Sequence, residues 1–553
     1  MNEAGARRPG LVFRLAGLAA LAAVFAAVFA VGFPPASRDR LPVLALSGIL
    51  ALVAAWDRRA GLVAFAFVLP FASLGDRLAG GTDALAWPVL LSLAVAGGWV
   101  FRFLYDFEGR PDPSRVDGAV RLLLLLWTVS AALAVVRART LWAIGHGLGL
   151  RVVNVGGLVA GAAFRGTLLS FGALGAGGIF FFLLRRSGKA AREAVLLSAV
   201  LGTAVSGGVA LAQRLGFLAT ETRRYWRVAG RFSGGAVDPN TLGILCAAAI
   251  PVAAALAASA SGRRRAAALS ALPLLAAGLA LSGSRSGVGL AAIGLGALLF
   301  ARPIAPRWRI GVVLLAAALL AAVAGSRVSG ARGSAGARLL ELFDENVPAQ
   351  YRVSARPVLW RSALSLFERH PLEGAGLGAF AWSLPNVLAE RGLSSGISDN
   401  PGSAYLQALA ETGAIGFALT LVLAVLAARE ALRSLRGRDA DAAAAGAGAA
   451  VVGFVAALAA GSHWFSADAA VVFFLLLAVT SGPAEGAPPR PPARAGALFV
   501  AAYAVAAAVS ALGTLDAVEA FRYSPDIGFH AKEIGPGGAF RWTGRRFAVR
   551  LRP

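Results

Sequence analysis

The chain has 553 residues, 58% of them hydrophobic and only 15% charged, with a formal net charge of +24. Soluble domains carry about 25% charged residues, so this balance speaks against a soluble chain and for apolar membrane spans separated by short basic clusters. The charge is nearly all arginine, with Lys189 and Lys532 the only lysines; it is scattered between apolar runs and forms no reader motif, which argues against a nucleic-acid partner.

At the N-terminus, Arg7, Arg8 and Arg14 precede an apolar run that ends near Phe33, the pattern of an uncleaved signal anchor. Candidate spans then follow at 15–33, 41–56, 61–75, 84–104, 119–136, 167–184, 194–212, 241–259, 266–282, 287–301, 311–326, 413–428, 445–461, 468–482 and 496–512. All are read as helices, because lipid leaves backbone groups no other partner except in closed barrels, and the runs lack the alternation of a barrel strand. The expected fold is an all-α integral membrane protein. It is a polytopic bundle of about 12–15 spans with a large helical periplasmic loop and a small β-rich C-terminal tail.

Arginine placement orients the chain. With the N-terminus inside, every second loop is basic: Arg58–Arg59, Arg110/Arg115, Arg185–Arg192, Arg263–Arg265, Arg302–Arg309, Arg429–Arg438 and Arg490/Arg494. This count places 327–412 and the tail from Asp516 outside. It divides the chain into N-terminal spans (1–214), core spans with arginine-bearing outer loops (215–326), a large periplasmic loop (327–412), C-terminal spans (413–515) and a periplasmic tail (516–553). Segment 137–166, with Arg137, Arg139, His146, Arg151 and Arg165 among apolar residues, is expected to form an amphipathic helix lying on the outer face. Segment 483–495 is a proline-rich inside linker.

Arginines outside run against the topology rule, which makes them candidates for an anion site. Arg231 precedes Asp238-Pro239-Asn240, a capped helix start. Arg285 lies in Ser282-Gly283-Ser284-Arg285-Ser286-Gly287 between two spans, where an unpaired charge is costly. The loop 327–412 carries Arg356, Trp360 and Arg361, then His370-Pro371-Leu372-Glu373-Gly374-Ala375-Gly376-Leu377-Gly378, then Asp399-Asn400 and Tyr405-Leu406-Gln407 with Glu411. The glycines at 374, 376 and 378 lack the strand–helix unit of a dinucleotide site and read as a bend that lets backbone approach a neighbour. Cys246 is the single cysteine, which excludes a disulfide within the chain. His146, His370, His463 and His530 are too dispersed to suggest a metal site, so neither metal nor cofactor is expected.

These pieces, in this order, resemble the O-antigen ligase and polymerase group of bacterial membrane glycosyltransferases over roughly 225–430. That group has an arginine patch and a (D/H)PN helix start, an SR(G/S) turn, an outer loop with R…W and hPL.G.G, and a segment like HN.YLQ.LAE.G. The chain departs from it in one place, having Gly402-Ser403 where the group has His-Asn. The resemblance implies transfer of a glycan from a polyprenyl pyrophosphate to an acceptor hydroxyl at the outer leaflet of the bacterial inner membrane, without a metal. The acceptor is lipid A–core for a ligase or another lipid-linked glycan for a polymerase. Arg231, Arg285, Arg356, Arg361 and Tyr405 would bind substrate, and Asp399, Glu411 or His370 would orient or deprotonate the acceptor. The competing class is a multi-span transporter. No Asp or Glu falls in the middle of a predicted span, although coupled carriers usually need one there.

Overall fold

The computed structural model describes residues 41–74, 86–103, 114–147, 155–218, 226, 229–325, 333–345, 356–391, 400–437, 441–481, 501 and 503–505, and strand segments between 526 and 549. The expected first span at 15–33, the linker 483–495 and Asp399 lie outside these residues. The helices are α1 (Leu41–Trp56), α2 (Arg58–Val68), α3 (Ala86–Phe103), α4 (Arg115–Gly147), α5 (Val155–Arg185), α6 (Lys189–Arg214), α7 (Pro239–Ser259), α8 (Gly262–Ser282), α9 (Arg285–Leu299), α10 (Pro306–Gly325), α11 (Ala335–Leu340), α12 (Arg356–Arg369), α13 (Ala379–Glu390), α14 (Ala404–Arg436), α15 (Ala442–Ala457) and α16 (Ala467–Thr480). Among the described residues eight helices are long and apolar enough to cross a membrane, and three shorter ones are equally apolar. Near the C-terminus Asp526–Phe529 pairs antiparallel with Thr543–Val549, and Glu533–Gly535 with Gly538–Phe540.

Helix starts are set by short polar side chains. Asp57, Asp238, Ser284, Ser403 and Asp441 each accept a hydrogen bond from a backbone N–H in the first turn of α2, α7, α9, α14 and α15. Small residues then bring the helices close. α7, the most enclosed span, packs on α6, α8, α9 and α15. A Cβ on Gly278 would lie 2.7 Å from Cys246 Sγ and 2.9 Å from the Gly207 Cα, which is the close packing that small residues permit between spans. Cys246 is accordingly a fully buried packing residue.

The expected interfacial helix over 137–166 is not a separate element. α4 runs unbroken through Gly147, and α5 begins at Val155. Arg137 is 8% exposed and turns inward to Gly374, His370 and Glu373.

Charged contacts between loops sort into two sets. Arg185 with Asp117, Lys189 with Asp441 and Arg264 with Glu193 join segments that the arginine count puts on one side. Arg137 with Glu373, Arg231 with the Ser282 carbonyl, Arg285 with Glu341 and Arg338 with the Gly283 carbonyl join segments that it puts on the other. No described ion pair joins the two sets, as expected for the two ends of a spanning bundle.

Candidate functional site

The site is built around the turn from Ser282 to Ser286, between α8 and α9. Gly283 has a φ of +64°, a conformation that favours glycine, and a side chain there would run into the Gly333 carbonyl. Ser282 accepts the Ser284 N–H at 3.1 Å, and Ser284 caps α9 through the Gly287 N–H at 3.1 Å. The turn is therefore rigid, and its backbone carbonyls point at arginines.

Arg231 reaches it from the segment before α7. Its Nε donates to the Ser282 carbonyl at 2.8 Å and its Nη2 to Asn240 Oδ1 at 2.6 Å, with the guanidinium stacked 4.7 Å from the Trp226 ring. Asp238 is occupied as the cap of α7, accepting from the backbone N–H groups of Asn240 at 2.7 Å and Thr241 at 3.1 Å. The Asp-Pro-Asn start thus fixes α7 through Asp238 and Arg231 through Asn240.

Arg338 of α11 donates to the Gly283 carbonyl at 2.7 Å. One turn further on, Glu341 pairs with Arg285 at 2.8 Å; the arginine side chain is 13% exposed and the glutamate 43%. A fourth cation comes from α12. Gly402 has a φ of +65°, and a side chain there would lie 3.4 Å from Arg356 Nε. Arg361, five positions along the same helix and roughly 140° around it, is exposed.

His463 closes the group from the turn between α15 and α16, its Nε2 3.1 Å from Ser286 Oγ. Burial pulls its pKa down to about 4; Asp238 opposes this and Arg356 adds to it. The imidazole is therefore neutral through the physiological range.

The other sequence candidates form a second, separate constellation. Glu411 is 1% exposed, and its carboxylate accepts the Gly378 N–H at 2.9 Å, the Phe380 N–H at 3.3 Å and Gln407 Nε2 at 3.1 Å. His370 Nδ1 sits 3.2 Å from Arg137 Nη2 and 3.3 Å from Glu373 Oε1. Tyr405 donates its hydroxyl to the Val455 carbonyl at 2.9 Å. The triple-glycine bend does admit close backbone approach, and its neighbours are helices. A Cβ on Gly376 would lie 2.8 Å from Ala134 Cβ in α4, and one on Gly378 2.7 Å from the Gly166 carbonyl in α5.

The structure thus gathers Arg231 and Arg285 at one turn, sets Arg356 beside Gly402 and within electrostatic reach of His463, and places His370 and Glu411 in a second, buried network. Arg338, Glu341, His463 and Arg137 were not among the site residues expected from the sequence. The first two sit in a loop already crowded with arginines. His463 could have been flagged as a histidine in an outer turn between two apolar runs.

These features define a polytopic membrane protein with an arginine-collared turn at one end of its bundle. Residues 269–421 match the family model described as O-antigen ligase, so the chain carries that domain, and the match supports its membership of the O-antigen ligase and polymerase family. The matched span includes Arg285, Arg338, Glu341, Arg356, His370 and Glu411; Arg231 and His463 fall outside it. A search of curated proteins gave no match.

Proposed function

We infer that this protein transfers a glycan from a polyprenyl pyrophosphate to an acceptor sugar hydroxyl, as an O-antigen ligase does, at the outer leaflet of the bacterial inner membrane. The observation that carries the reading is the Arg285–Glu341 pair beside the turn. Glu341 is a half-exposed carboxylate on a partly buried guanidinium, a place that a pyrophosphate can take over with stronger, bidentate hydrogen bonds. Arg356 adds charge from α12. Arg231, its Nε and Nη2 engaged by Ser282 and Asn240, shapes the turn and contributes positive potential. Together they stabilise the charge that develops on the leaving pyrophosphate, so the transfer needs no metal.

Glu411 and His370 act in this reading as positioning residues that lock the 370–380 segment against α4, α5 and α14. Loop 327–412 and the strand-forming tail from Asp516 face the periplasm, and the lipid tail of the donor lies among the spans. Full-length protein in proteoliposomes containing a polyprenyl-pyrophosphate-linked oligosaccharide and lipid A–core tests the reading. The expected result is transfer to the core, independent of any ion gradient. Chain extension of the lipid-linked glycan instead identifies a polymerase, and gradient-dependent movement without a new glycosidic bond overturns the reading.

A further inference from the structure

We propose that His463 is the base of the transfer step, its Nε2 held by the hydroxyl of Ser286, the residue after Arg285, so that it receives the proton of the attacking acceptor hydroxyl through Ser286. This rests on the glycosyl-transfer reading and adds to it a residue outside the family match.

The placement is built rather than incidental. The turn Gly461–Ser466 is tied to the start of α14 by the Ala404 N–H, which donates to the Gly461 carbonyl at 3.2 Å. The imidazole lies directly over Gly461, where any Cβ would collide with Nε2. His463 is 7% exposed. The charged groups around it are Asp238 from the start of α7, Arg356 from α12 and, beyond Ser286, Arg285 of α9. Five positions on is Asp468, a buried carboxylate whose Oδ2 has no hydrogen-bond partner among the described residues.

Glu411 accepts three N–H donors through its carboxylate, and His370 Nδ1 faces Arg137 and Glu373 in the neighbouring network. His463 also abuts the start of α14, where Gly402-Ser403 offer no imidazole of their own.

In the step, the acceptor oxygen forms a bond to the anomeric carbon. The bond from that carbon to the phosphate oxygen breaks, and its electron pair leaves on the pyrophosphate. The acceptor proton passes to Ser286 Oγ as the Ser286 hydroxyl proton, hydrogen-bonded to Nε2, passes to the imidazole. A neutral imidazole has the lone pair this needs, and burial with Arg356 keeps it neutral. The donor's negative charge, arriving next to Arg285 and Arg356, offsets those cations and makes the imidazole more basic while the substrate is bound.

The test is His463→Gln, which keeps a polar partner for Ser286 but accepts no proton. In proteoliposomes, transfer is expected to fall by about 10²-fold or more, the range for loss of a general base, with donor binding unchanged. The wild-type rate falls on acidification as His463 is protonated. That acid limb disappears in the variant, whose residual rate climbs with hydroxide. Ser286→Ala provides a second readout: it removes the hydroxyl that hands the proton to the imidazole and is expected to lower transfer about tenfold with the acid limb retained. A His463→Gln enzyme within threefold of wild type and with the same pH profile overturns the assignment, as does a Ser286→Ala enzyme with unaltered transfer. Wild-type protein that makes no glycosidic bond takes down the glycosyl-transfer reading beneath it instead.

Discussion

Two neighbouring regions hold the same kinds of side chain and use them in opposite ways. Around Glu411, each carboxylate oxygen is matched by donors of the chain itself, and Arg137, His370 and Glu373 close on one another. That network is buried. It seats Gly374–Gly378 against α4 and α5, and the break of α14 at Gly413 against the Leu372 carbonyl. Around the Ser282–Ser286 turn, Arg231 and Arg338 donate to backbone carbonyls and Arg285 pairs with one half-exposed carboxylate, Glu341. The comparison teaches that carboxylates of one chain can be enclosed by its own donors or left half-exposed beside a guanidinium. What distinguishes the second region is an excess of one sign of charge beside a half-exposed counter-ion, which the proposed function assigns to the pyrophosphate site.

The comparison breaks most sharply at Arg285. Arg285→Ala is expected to lower glycan transfer by about 10³-fold, the scale for losing one donor to a developing anion, with expression intact; near-normal transfer in proteoliposomes removes it from the mechanism. Glu411→Ala belongs to the other region. It is expected to cost about 3 kcal/mol of stability by stranding the buried N–H groups of Gly378 and Phe380, read as a lowered thermal midpoint. An unchanged midpoint together with lost transfer would make Glu411 part of the chemistry. Glu341→Gln removes the counter-ion while leaving Arg285, and is expected to tighten donor binding severalfold, since a partly exposed ion pair is worth about 1 kcal/mol or less. Weaker binding would mean that Glu341 holds Arg285 in its active position. The smallest effect is expected at Tyr405→Phe, which loses one hydrogen bond to the Val455 carbonyl and about 1 kcal/mol in the same thermal assay.

Most of the helical layout was legible from hydropathy, because spanning helices announce themselves in long apolar runs: the expected spans over 41–56, 84–104, 119–136, 194–212, 241–259 and 266–282 each fall within or on a described helix. At 137–166 the expected separate helix begins as a continuation of α4. Arg137 at its start is satisfied inside the bundle by residues more than two hundred positions away, which no local pattern reveals. At the site, the arginines stood out because topology disfavours them outside. Their partners did not: Glu341 and His463 look ordinary until folding sets them beside Arg285 and Ser286. The same limit explains Glu411 and His370, whose residue types suggested acid–base chemistry and whose partners are hidden in other segments.

Titration of full-length protein in lipid nanodiscs with a polyprenyl-pyrophosphate-linked glycan tests the anion site most directly. Wild type is expected to bind, and Arg285→Gln to bind about 30-fold more weakly, in keeping with the loss of a charge-assisted hydrogen bond to phosphate. Equal affinity in the two proteins would contradict the account, because the pyrophosphate would then be held somewhere other than the collared turn.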